Sequence, residues 1–192
     1  TLLGKKVAIK LLKQEFVNNS NIRGRFLAEA RHMVQVSHAH IISVLDLIDA
    51  GDIVAIVMEY VDGQSLKEYL QQKGRLNDSE IRTLFSQILT ALQHVHDSGF
   101  VHRDIKPSNF MLTRAGSIKL ADFGIAKDLD MTQLTSAHCA VGTAAYMAPE
   151  QCMAKKIGPQ TDLYALGVVL FELLTGQKPF QAQSSVEMFK KH

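Results

Sequence analysis

Apolar residues recur along this chain with two periods, and the dominant period changes part-way. Val7-Ala8-Ile9-Lys10-Leu11-Leu12 is a short, partly β-branched run closed by charge, which predicts a strand. Ile22, Phe26, Ala30, Met33 and Val34 then fall at helical spacing. Ile41–Ile48 and Ile53–Met58 predict two further strands, joined by the turn residues Asp49-Ala50-Gly51-Asp52. After Asp62-Gly63 the pattern becomes mainly helical. Leu66, Tyr69 and Leu70 predict a short helix ending at Gly74, and Asn77 with Glu80 three positions on has the form of a capping box opening a long helix to about Asp97. Phe110–Leu112 and Ile118–Leu120 flank Arg114-Ala115-Gly116 as a small hairpin, and Leu163–Leu174 is a mostly apolar helix closed by Gly176. The expected class is α+β: a β-rich part over 1–61, a mainly helical part over 62–192, and a hinge around Glu59 to Gly63.

Composition narrows the class. Hydrophobic residues make up 46% and charged residues 21%, which excludes disordered and low-complexity chains. The longest uncharged apolar stretch, Leu163–Phe171, is half a membrane span and stops at Glu172, so no membrane segment is expected. A net charge of +2 gives no footprint for nucleic acid, which is not expected as a partner. Two cysteines suit reduced thiols and a cytoplasmic setting. His38/His40 and His94/His96 stand at i, i+2 without an accompanying cysteine or carboxylate cluster, so zinc is discounted.

The candidate chemistry lies between the long helix and the small hairpin, in His102-Arg103-Asp104-Ile105-Lys106-Pro107-Ser108-Asn109, with Asp122-Phe123-Gly124 just beyond. Phosphoryl transfer needs a carboxylate to orient a hydroxyl and take its proton, and oxygen ligands for the magnesium that neutralises triphosphate charge. Asp104, Asn109 and Asp122 supply that set. Lys10 puts an ammonium on a strand, where it can meet phosphates if a carboxylate holds it, and Glu29 on the following helix is the candidate holder.

These motifs resemble a protein kinase catalytic domain of the Ser/Thr type, with a bacterial flavour, over nearly the whole chain. The resemblance implies a two-lobed fold, ATP and Mg2+ as cofactors, and Ser/Thr hydroxyls of proteins as acceptors. It implies Asp104, Lys106, Lys10, Glu29 and Thr143 in catalysis, and Asn109 and Asp122 on the metal. Met58 would be the gatekeeper, Glu59, Tyr60 and Val61 the hinge whose backbone meets adenine, and Ala8 and Met111 the residues either side of the base. Ser108 is counted with the nucleotide-binding set. Met33, Val44, His102 and Phe123 resemble the family's regulatory hydrophobic stack. Lys106 with Gly142-Thr143-Ala144-Ala145-Tyr146 resembles the Ser/Thr rather than the tyrosine-specific version. Met147-Ala148-Pro149-Glu150 closes an activation segment of 29 residues counted from Asp122, and Asp162 resembles the residue that braces the catalytic loop. Arg103 would receive a phosphate from Thr132, Thr135 or Ser136, placed there by autophosphorylation, for which a homodimer is one expected arrangement.

The family's Gly-rich loop before the lysine strand and its later helices do not occur in this sequence. The chain is therefore expected to be the middle of a kinase domain, folded in its core but a poor enzyme alone. Two rival readings are a non-catalytic kinase-like module binding nucleotide or a partner, and a small-molecule phosphotransferase. The intact catalytic side chains argue against the first, and Ala148-Pro149-Glu150 with Gly142-Thr143 against the second.

Overall fold

The computed structural model describes residues 4–122 and 141–192, and all of their side chains but those of Glu29 and Val141. Three antiparallel strands, β1 (Val7–Leu11), β2 (Val44–Ala50) and β3 (Ile53–Glu59), form a sheet in the order β1-β3-β2. Ala50 pairs with Ile53 across a two-residue turn, in which Gly51 takes φ +59°. Between β1 and β2 run the short α1 (Gln14–Val17) and the long α2 (Ser20–Gln35), whose first amides are capped by the Asn19 side chain.

The predicted strand from Ile41 begins instead at Val44. Residues 40–42 are drawn to the other half of the molecule, where the His40 carbonyl accepts from the Leu120 amide and the Ile42 amide donates to the Leu120 carbonyl. A bulge between Val44 and Asp46 then restores the pairing with β3.

The second sheet consists of β4 (Gly63–Ser65), β5 (Phe110–Thr113) and β6 (Ile118–Leu120). Gly63 is required at its position: a Cβ there would lie 2.0 Å from the Leu112 carbonyl oxygen. Around this sheet stand α3 (Leu66–Lys73), α4 (Asp78–Asp97), α5 (Val141–Ala144), α6 (Pro149–Cys152), α7 (Pro159–Thr175) and α8 (Ser185–Lys191). Asn77 and Glu80 close the capping box read from the sequence, and Ser65 with Glu68 closes a second at α3. The apolar helix begins at Pro159, one turn before the apolar run, because Pro and Thr161 serve its first turn. It ends at Gly176 in the left-handed region.

Two cores result. The smaller joins Val17, Phe26, Ala30, Val54 and Ile56, and the larger joins the C-terminal part of α2 (Met33), the Val36 to Ile41 segment, α4, the second sheet and α7. Val44 and Met58 pack against both. The α+β architecture with a small sheet lobe and a helical lobe is thus as expected. Among the described residues no helix is long and apolar enough to cross a membrane.

Candidate active site

The segment from His102 to Asn109 is too short to bury much apolar surface, so its shape has to come from polar contacts. Its anchor is Asp162 in the first turn of α7, 1% exposed. One oxygen of Asp162 accepts from the backbone amide of Arg103 at 2.8 Å. The other accepts from the backbone amide of His102 and lies 2.8 Å from His96 Nε2. A buried carboxylate is costly unless its lone pairs are filled, and these three contacts fill them. On the far side, Gln151 of α6 donates its amide to the Arg103 carbonyl at 3.0 Å. Held from both sides, Arg103 adopts φ +68°, a left-handed conformation costing a non-glycine residue roughly 1–2 kcal/mol.

His102 is fully buried. Its Nε2 lies 3.0 Å from the Ala121 carbonyl and its Nδ1 accepts from the Asp104 amide at 3.3 Å, the pattern of a neutral ring. Burial pushes its pKa below the ordinary histidine value, against the upward pull of Asp162 and the other carboxylates nearby.

The frame presents Asp104. Its Oδ2 lies 2.8 Å from Lys106 Nζ and accepts from Asn109 Nδ2 at 3.0 Å, while the same amide nitrogen donates to the Asp104 carbonyl at 2.8 Å. Asn109 is fixed by the single 3-10 turn Pro107–Asn109, and its carbonyl accepts from the Ala121 amide, placing Asp122 next to the loop. Asp122 is itself left-handed at φ +54° and meets Lys10 Nζ at 2.9 Å. Lys10 reaches it from β1 because Ala8 and Lys10 share the inner face of that strand, whereas Ile9 and Leu11 point to solvent.

Of the residues singled out from sequence, the structure brings Asp104, Lys106 and Asn109 into direct contact and pairs Lys10 with Asp122. Ser108 Oγ donates to Asn109 Oδ1 at 3.4 Å. Thr143 shares one small cavity with Asp104 and another with Lys106. Ala8 stands opposite Met58 in the first sheet, and Met111 stands between Ser65 and Lys119 in the second. The Glu59 side chain accepts from the Ser43 amide and pairs with Lys119 at 2.6 Å, fixing the start of the hinge. Tyr60 is exposed and Val61 half-buried. Phe123, Thr132, Thr135 and Ser136 lie outside the described residues, as does the side chain of Glu29. His96, Gln151 and Lys119 were not anticipated in these contacts.

A family model for the protein kinase domain matches residues 2–192. The chain belongs to that family. It is 42% identical over 191 residues to the serine/threonine-protein kinase PrkC of Bacillus subtilis, 41% over 193 to the probable serine/threonine-protein kinase PknB of Lactococcus lactis, and 39% over 195 to the serine/threonine-protein kinase PknA of Mycobacterium tuberculosis. These alignments cover 99–100% of this chain but 30%, 31% and 45% of those kinases. Kinase family membership implies ATP and a divalent metal, and it favours the catalytic reading over the non-catalytic module.

Proposed function

We propose that this domain transfers the γ-phosphoryl group of ATP to Ser or Thr hydroxyls of proteins in the cytoplasm, with 1–61 as the small lobe and 62–192 as the large lobe. The observation that carries the reading is the Asp104–Lys106–Asn109 cluster, set on a buried polar frame one hydrogen bond from the Asp122–Lys10 pair.

The donor set suits the cofactors. Asn109 and Asp122 offer hard oxygen ligands of the kind Mg2+ takes, and Lys10 and Lys106 offer ammonium groups for phosphate oxygens. When bound, magnesium and ATP supply the phosphoryl group and neutralise the charge on its oxygens. The protein's own part is positional and electrostatic. Asp104 would orient the acceptor hydroxyl and take its proton as the γ-phosphoryl passes to that oxygen and ADP leaves. Lys106, beside that carboxylate, would counter charge on the transferring group, and Thr143, which shares a cavity with each, would hydrogen-bond both once substrate is bound. Ala8, Met58 and Met111 would enclose the base, the backbone of Glu59, Tyr60 and Val61 would meet its edge, and Ser108 would stand with the phosphate-side residues. Glu29 would hold Lys10. Arg103 would receive a phosphate placed on Thr132, Thr135 or Ser136, ordering the segment that follows Phe123.

Replacing Asp104 by Asn in the full-length protein tests the reading. It removes proton acceptance but keeps the shape, so transfer from labelled ATP is expected to fall ~10²- to 10⁴-fold while ATP binding is retained. Turnover equal to wild type would overturn it.

A further inference from the structure

Beside the cluster of Asp104 and Lys106 lies a cavity of about 210 Å³ that the transfer step does not need. Its walls come from three separate parts of the chain: Lys67 on α3, Lys106 and Ser108 on the catalytic loop, and Thr143, Tyr146 and Lys178 from the far side. Three lysines converge on it, and among the described residues no carboxylate lines it. One of the three lysines, Lys106, is offset by Asp104, and two further acids beside the lining residues are engaged elsewhere. Glu68 is turned back onto the Ser65 amide and hydroxyl, and Glu172 accepts from the Tyr146 hydroxyl at 2.6 Å. Lys178 is held in place with its ammonium 5.0 Å from the centre of the Tyr146 ring. Lys67, in the first turn of α3, stays exposed to solvent.

Resting on the kinase reading above, we infer that this cavity is a substrate subsite that takes an anionic side chain of the protein substrate, close in sequence to the phosphorylated Ser or Thr. The geometry argues for the position: Lys106 and Thr143 belong at once to this cavity and to the surroundings of Asp104, so a peptide with its hydroxyl at Asp104 carries its neighbouring residues past the cavity. The charge argues for the chemistry. Lysine ammoniums act as point charges, which suits a carboxylate or a phosphate rather than a shaped apolar group. Lys67 and Lys178 are specificity-determining residues in this account, with no part in the transfer itself.

The test uses the full-length protein with ATP and Mg2+ and a set of Thr peptides differing only beside the acceptor: Asp/Glu, Asn/Gln, Lys, or a phosphoserine. The acidic peptides are expected to show a KM three- to tenfold below that of the amide peptides at similar kcat, with the gap shrinking as salt is raised. The phosphoserine arm separates a phosphate-primed substrate from a plainly acidic one. The double variant K67E/K178E should abolish or invert the preference. The single changes Lys67→Gln and Lys178→Gln should each halve it or more, which keeps the test open if the double variant fails to fold. No preference in wild type, or a preference that survives both single variants and the double, overturns the subsite while leaving the kinase reading standing. Absence of transfer to every peptide, with peptide binding measured by fluorescence anisotropy showing no charge preference, overturns both.

Discussion

The two halves of the active site are built in opposite ways. The catalytic loop hangs on Asp162, a carboxylate 1% exposed whose oxygens take up two backbone amides and one imidazole. The half proposed to meet the nucleotide centres on Lys10, on an outer strand of a three-stranded sheet, one-third exposed and paired with an Asp122 that is half exposed. One half is fixed before any ligand arrives, and the other keeps its charges in reach of solvent. A group that must hold a strained backbone belongs in the interior, whereas a group that must exchange one partner for another belongs where water can replace the partner it leaves.

Breaking the buried half should therefore break the fold. Asp162→Ala leaves the amides of His102 and Arg103 without their acceptor in a dry site, and loss of one side of such a buried charged network costs about 3–5 kcal/mol. Chemical denaturation should show that loss along with the loss of transfer. A wild-type midpoint would mean that the loop is held by something else.

Breaking the exposed half should cost activity instead. Lys10→Met should lower transfer by on the order of 10²-fold, while the unfolding free energy falls by no more than about 0.5 kcal/mol, since partly exposed ion pairs contribute little. A large stability loss would erase the contrast between the halves.

What the sequence disclosed follows the same division. Asp104, Lys106 and Asn109 lie within six residues of one another, so their contact is local and was readable from spacing, as was the box formed by Asn77 and Glu80. His96 and Asp162 are 66 positions apart, and Gln151 and Arg103 are 48 apart. No periodicity links such pairs. His96 carries no local mark beyond its place at the end of a helix, where a histidine is ordinarily a favourable dipole partner. The misplaced start of β2 has the same origin: Ile41 and Ile42 are strand-like residues, but their hydrogen bonds go to Leu120, which only the tertiary fold brings near.

His102 sharpens the comparison through pH. Burial lowers its pKa, so the unfolded chain takes up the proton first as pH falls. Stability is then full above about pH 6.5 and declines below it. His38, depressed by burial and by His94, adds a slope of the same sign. Melting temperature followed from pH 8 to 5 should fall, and the slope should flatten, without vanishing, in His102→Gln. An unchanged slope in that variant would place the acid lability outside the buried frame.

The smallest effect is expected far from the site, at the start of α4. Glu80 accepts from the Asn77 amide and from the Tyr69 hydroxyl, and is paired with Lys73. The Lys73 ammonium, aided by the Asn77 amide and the Tyr69 hydroxyl, holds its carboxyl down at about 2. A depressed acid contributes stability that is whole above its ordinary value of 4.5 and is lost as pH falls toward 2. Gln at this position can still close a capping box but cannot neutralise Lys73, so Glu80→Gln should cost about 0.5–1 kcal/mol at pH 7. The deficit against wild type should shrink between pH 4.5 and 3, and also in high salt, because it is the charge and not the cap that was removed. Urea midpoints of the two proteins at pH 7 and pH 4, each with and without added salt, separate these contributions. A deficit independent of both pH and salt would assign the role of Glu80 to capping geometry alone. Transfer activity should not change in either case, since this helix start touches neither the buried frame nor the exposed pair.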